Sequence, residues 1–179
     1  MDIDAVVERS ESVQTHNLEQ NGRKMNKRIT NLSSDRPATE QAWLNLENMA
    51  SVELTSEDDA FPIESALLGQ EQGWRAAGPG IQTIRLIFDQ PQSLRHICLD
   101  FVETEIQRTQ EFTLRWSADG GNTLLDIVRQ QWNFSSPNAT REIEDYRVEL
   151  SNVTLLDLTI DPDKENGKAR ASLLSLRLA

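Results

Sequence analysis

Cysteine is almost missing from this chain: Cys98 is the only one among 179 residues. One thiol closes no intrachain disulfide and supplies too few ligands for a thiolate metal site, which fits a reducing compartment or a bacterial protein. Basic residues are scarce too. Lys and Arg number 18 against 29 Asp and Glu, a formal net charge of −11. Nucleic-acid binding needs a surplus of cations to displace phosphate counterions, so no nucleic-acid partner is expected. No apolar run approaches the roughly 20 residues that span a bilayer. The first residues, MDIDAVVERSESVQTH, lack the basic and apolar regions of a secretory signal, so the expected location is cytoplasmic. The two histidines, His16 and His96, are not placed to build a zinc site with Cys98. Nor does either build a triad with Ser117 and Asp119, which flank a turn. Four Asn-X-Ser/Thr triplets, at Asn31, Asn133, Asn138 and Asn152, carry no weight without a secretory route.

Long segments of helical period are also missing beyond residue 43. What stands there is alternation. Ile84, Leu86 and Phe88 share one face of 81–89, Ile97, Leu99 and Phe101 one face of 95–103, and Phe112, Leu114 and Trp116 one face of "FTLRWSAD". Further candidates are 50–56, 124–134, 141–150, 153–161 and 170–179. Alternation over five to nine residues marks half-buried strands. The breaks between them carry turn chemistry: Asp89-Gln90-Pro91, Asp119-Gly120-Gly121, Ser136-Pro137-Asn138, Asp161-Pro162-Asp163 and Asn166-Gly167. Some eight strands at short spacing predict an all-β fold, an antiparallel sandwich or jelly roll. Residues 1–40 read as a polar, flexible N-terminal arm, and 41–179 as the folded domain. The arm is nearly neutral, which leaves 12 bases and 22 acids in the body. Its basic knot "RKMNKR" reads as part of a solvated tail, and Met25 within it is an alternative start.

The order of these words resembles a known scaffold. "ASVELTSEDDAFPIESALLGQEQGWRAAGPGIQTIRLIFDQP", then "RHICLDF", "EFTLRWSADGG" and the closing "ARASLLSLRLA" are similar to the discoidin-like, or coagulation factor 5/8 type C, domain of the galactose-binding-like superfamily. The resemblance covers residues 43–179. It implies an all-β, antiparallel eight-stranded jelly-roll β-sandwich, and a non-catalytic binding module whose apical loops recognise a carbohydrate or related polar ligand. The alternative is an intracellular protein–protein interaction or scaffold domain. Carried onto this chain, the loops are 56–62, 69–73, 103–110 and 161–169. The candidate ligand-binding residues there and beside them are Asp59, Phe61, Gln72, Trp74, Arg75, Arg108, Lys164, Asn166 and Lys168.

Aromatic rings meet the apolar C–H faces of sugars, and Arg offers a fork of donors for hydroxyls or carboxylates. Trp74 and Trp116 are expected mainly as packing residues, and Trp132 as core or an exposed platform. No cofactor is implied. The family's calcium-binding Asp is replaced by Leu68, so calcium would have only the oxygens of Glu57, Asp58 and Asp59. Phe61 and Ile106 are the only apolar side chains at the loop tips of an acidic domain, so no membrane insertion is expected. Glu142 and Glu144 lie two apart and read as a solvent-facing edge, not a glycosidase pair.

Overall fold

Period-two alternation becomes strand through most of the chain. The computed structural model describes residues 42–179. The predicted arm, 1–40, lies outside the described residues. A 3-10 turn at Leu46–Asn48 leads into β1 (Ala50–Leu54) and the short helix α1 (Ile63–Leu67). Then follow β2 (Trp74–Pro79), β3 (Gln82–Val102), β4 (Arg108–Ser117), β5 (Leu125–Phe134), β6 (Arg141–Asp161), β7 (Arg170–Leu173) and β8 (Ser175–Leu178). Every strand pairing is antiparallel. The fold is an antiparallel jelly-roll sandwich: the alternation predicts the sandwich and the resemblance the jelly roll.

The eight strands are not the eight expected. Segments 81–89 and 95–103 form one strand, β3, and 141–150 and 153–161 form another, β6. The first half of β3 pairs with β1 and with the second half of β6, which in turn pairs with β4. The second half of β3 pairs with β8 and with the first half of β6. Both strands therefore run through two layers. A strand that changes layers must bend, and bulges supply the bend. Register shifts fall between Ile87 and His96, around the predicted turn at Pro91. Asn152 marks the same corner on β6 with φ at 58°, a region Asn tolerates better than most residues. Segment 170–179 divides into β7 and β8, and β2 is a strand beyond the eight candidates.

Between the layers Ile84, Leu86, Phe112, Leu114, Leu156, Leu158 and Ile160 meet Ile97, Leu99, Phe101, Leu176 and Leu178, all buried. The rings of Phe101 and Phe112 lie 5.3 Å apart, one from each layer. Trp116 and Trp132 are half-buried against this core. Each fully buried aliphatic side chain contributes about 2 kcal/mol through water exclusion. The outer face carries a buried charge, Asp157, enclosed by Arg85 and Arg115, each at 2.7 Å.

One expectation is corrected here. Glu142 and Glu144 do not face solvent: Ile143 between them is 53% exposed, and the two carboxylates turn inward. The register requires it, since Phe101 pairs with Glu142, Leu99 with Glu144 and Ile97 with Tyr146. Residues directly opposite in an antiparallel pair share a face. Burial and the adjacent Glu144 push the Glu142 carboxyl up to about 7. Tyr146 donates its hydroxyl to Glu144.

Candidate functional site

One end of the sandwich carries the α1–β2 loop, the β3–β4 loop and the segment before β7. Between them lies a cleft of about 500 Å³. Its floor is the β2–β7 ladder, where Trp74 pairs with Leu173 and Arg75 with Ser172. Phe61 and Gln72 form one wall, and residues 103–106 form another.

The floor depends on a close approach. At Gly73, φ is 67°, and a Cβ there would lie 2.7 Å from the Leu173 carbonyl oxygen. Only glycine lets β2 settle onto β7 at this spacing. Trp74 follows at once and is buried, with 2% of its surface exposed. It supports the floor from beneath, in keeping with its expected packing role. Arg75 emerges on the exposed side, and its guanidinium lies over the Phe61 ring at 4.3 Å. Such stacking restrains a long side chain while leaving the edge donors free.

The 161–169 loop is tied by one carboxylate. Asp163 accepts the backbone N–H of Asn166 and of Lys168, each at 3.1 Å. Burial opposes its charge, but these and neighbouring backbone donors hold its carboxyl below the ordinary range. The anchored turn delivers Lys168 to the rim and Arg170 to the start of β7. Arg170 donates to Asp58 at 2.9 Å, which links this turn to the 56–62 loop. Sequence reasoning missed Asp163; Arg170 is legible there as one of a basic cluster with Lys164, Asn166 and Lys168. The Asp161-Pro162-Asp163 turn was legible, but which of its two acids turns inward was not.

Five of the nine predicted ligand-binding residues meet at the cleft: Phe61, Gln72, Trp74, Arg75 and Lys168. Four do not. Arg108 is corrected from ligand contact to internal strut, its side chain only 1% exposed. It donates to Glu103 at 2.9 Å, to Gln110 at 2.9 Å and to the Pro162 carbonyl, with its guanidinium over Phe134. The first position of β4 faces the core, so the guanidinium has to satisfy itself inside. Burial holds its pKa below the usual Arg range, partly offset by Glu103. Glu103 is half-buried, which would raise its carboxyl. The backbone N–H groups of Glu105 and Ile106, with Arg108, more than offset this, and the net shift is downward. Arg108 thus shapes the β3–β4 wall without reaching a ligand.

Lys164 is drawn away by Glu111 at 3.1 Å and Asp161 at 3.9 Å. Asn166 closes the Asp163 turn, and Asp59 is exposed beside the cleft without lining it. The calcium candidates are committed elsewhere. Glu57 accepts the Ile63 N–H at 2.6 Å, and Asp58 accepts the Ala60 N–H and pairs with Arg170. Among the described residues, no three His, Cys, Asp or Glu side chains converge as a metal site.

The opposite end of β4 carries the Ser117–Gly121 turn. Ser117 donates to Asp119 at 2.6 Å and accepts the N–H groups of Asp119 and Gly121. The Ser117 hydroxyl and the Thr123 N–H hold the Asp119 carboxyl down, to about 2. The most recognisable words of the sequence are therefore a structural knot far from the cleft.

No protein-family model and no curated protein sequence matches the chain. Solved structures do. A family 32 carbohydrate-binding module of NanJ from Clostridium perfringens, solved with galactose, is 14% identical at a TM-score of 0.56, covering 76% of this chain and 96% of that one. The family 32 module of AlyQ, solved with 4,5-unsaturated mannuronic acid, is 16% identical at 0.53, covering 74% and 95%. A pectin-binding carbohydrate-binding module is 18% identical at 0.51, covering 73% and 89%. At such identities the likeness is one of architecture. The chain has the discoidin-like, galactose-binding-like jelly-roll fold.

Proposed function

We propose that this chain is a non-catalytic carbohydrate-binding module that holds a short stretch of glycan in the cleft above β2 and β7. The observation that carries the reading is the convergence of Phe61, Gln72, Arg75 and Lys168 around one open recess of suitable size. Small-ligand sites are concave, with a few polar groups that fix orientation. The amide of Gln72 donates to the Ala60 carbonyl at 2.7 Å, which aligns the wall and leaves its oxygen to accept a sugar hydroxyl. Binding rather than catalysis is favoured by Glu103, held ionised with both oxygens occupied. The solved neighbours of this fold include modules crystallised with neutral and with acidic sugars, so the fold does not choose between them.

Isothermal titration against a panel of neutral and acidic oligosaccharides tests the reading. A shallow cleft with few anchors is expected to give dissociation constants of about 10⁻³ to 10⁻⁵ M. Loss of binding in Lys168→Ala, with an unchanged melting temperature, supports the cleft as the site. No binding to any glycan, with a protein co-purifying instead, overturns it in favour of a protein-binding domain.

A further inference from the structure

We infer that the cleft selects glycans bearing a carboxylate, with the guanidinium of Arg75, braced on Phe61, as the group that reads the uronic acid. The inference rests on the carbohydrate reading above and specifies its substrate class.

The body of the protein is acidic, with 12 bases against 22 acids, yet three of those bases line this one recess. Arg75 and Ser172 are paired across β2 and β7, and Arg170 lies two residues before Ser172. Arg75 and Arg170 thus stand on the same face of the floor, and Lys168 enters from the adjoining turn. Their partners differ. Arg170 is half neutralised by Asp58. Among the described residues, neither Arg75 nor Lys168 has a carboxylate within ion-pair distance.

The acids of the cleft are placed otherwise. Glu103 is spent on Arg108 and two backbone N–H groups. Glu71 and Glu105 sit on exposed wall loops, not on the floor. An anion is therefore drawn to the floor and to the Lys168 side of the rim, away from the loops that carry Glu71 and Glu105. Arg75 adds geometry to charge. With Phe61 against one face of the guanidinium, the remaining donors lie in its plane, the arrangement that grips a carboxylate with two parallel hydrogen bonds.

The probe is a galacturonate oligosaccharide, compared with the same oligosaccharide fully methyl-esterified, a neutral galactan fragment and dextran sulfate. The free acid is expected to bind about tenfold more tightly than its ester, since a charge-assisted pair replaces a neutral contact. Arg75→Gln is expected to erase that difference while retaining the weaker binding of the ester. Phe61→Leu, which keeps an apolar wall but removes the ring, is expected to shrink the preference about threefold. Equal affinity for acid and ester, or preference for the neutral galactan, overturns the inference and leaves the carbohydrate reading standing. Equal binding of dextran sulfate, insensitive to Arg75→Gln, also overturns it, because the attraction would then be unspecific. No binding to any of the four overturns the inference as well, and the wider oligosaccharide panel then decides the carbohydrate reading separately.

Discussion

Arg108 and Arg75 are both arginines at the loop end of the same sandwich, and their fates differ because of strand phase. Arg75 falls on the exposed side of β2, and Arg108 on the core side of β4. Replacing Arg108 by Ala leaves Glu103 half-buried without its ion partner, a loss of about 3 kcal/mol. Urea denaturation should show it, and a change below about 0.5 kcal/mol would contradict the strut role. The phase of Arg108 was readable in principle, because Arg108, Gln110, Phe112 and Leu114 alternate, but a charged side chain in the inward position argued for a loop. Glu142 was misread for the same reason. Its raised carboxyl has a definite consequence for stability. Unfolded, it titrates near the ordinary 4.5; folded, near 7. Below the first value both states hold the proton and nothing is gained. Between the two the folded state alone keeps it, so stability falls as pH rises through this window, and the loss is complete above it. Glu142→Gln should therefore melt higher than the native protein at about pH 8 and match it near pH 4. Parallel melting curves across that range would refute the assignment.

The β2–β7 ladder is the least legible part of the fold and the one that makes the cleft. "WRAAGPG" has small residues, little alternation and a proline, so nothing in its pattern announces a strand. It becomes one because Gly73 lets it lie on β7 and because Trp74 is buried there. Gly73→Ala combines a left-handed backbone with a clash against Leu173 and Leu174, and should cost about 2–4 kcal/mol. If the variant still folds, the glycan binding proposed above should weaken as well, since Arg75 moves with the strand. Thermal melting and titration on one sample check both; an unaltered protein would show that the approach is not tight. The regular strands were plain from alternation, and so was the Ser117–Gly121 turn. The union of two segments into β3, and of two into β6, was hidden because Pro91 and Asn152 read as breaks. They are breaks in register, not in the strand.

Because β3 and β6 pass through both layers, neither layer can unfold alone. Leu158→Ala, a truncation in the five-stranded layer, should lower stability by about 3 kcal/mol. Hydrogen exchange should report the same loss at Leu99 in the other layer, since both amides open only with the whole. Loss of protection confined to Leu158 and its neighbours would contradict a single cooperative unit. The same through-running architecture holds the two ends of the sandwich apart. β4 is a ten-residue strand that starts at Arg108 beside the cleft and ends at Ser117, a span of about 30 Å. The lone native thiol, Cys98, is half-buried and its pKa is pushed up by that burial and by Asp145 and Asp100, so it reacts slowly at neutral pH. Ala118 is exposed on the distant turn, and an Ala118→Cys variant would consequently offer a second, accessible thiol there. Coupled through it to a bead or sensor chip, every molecule would present its recess outward, and a random layer would become an oriented one.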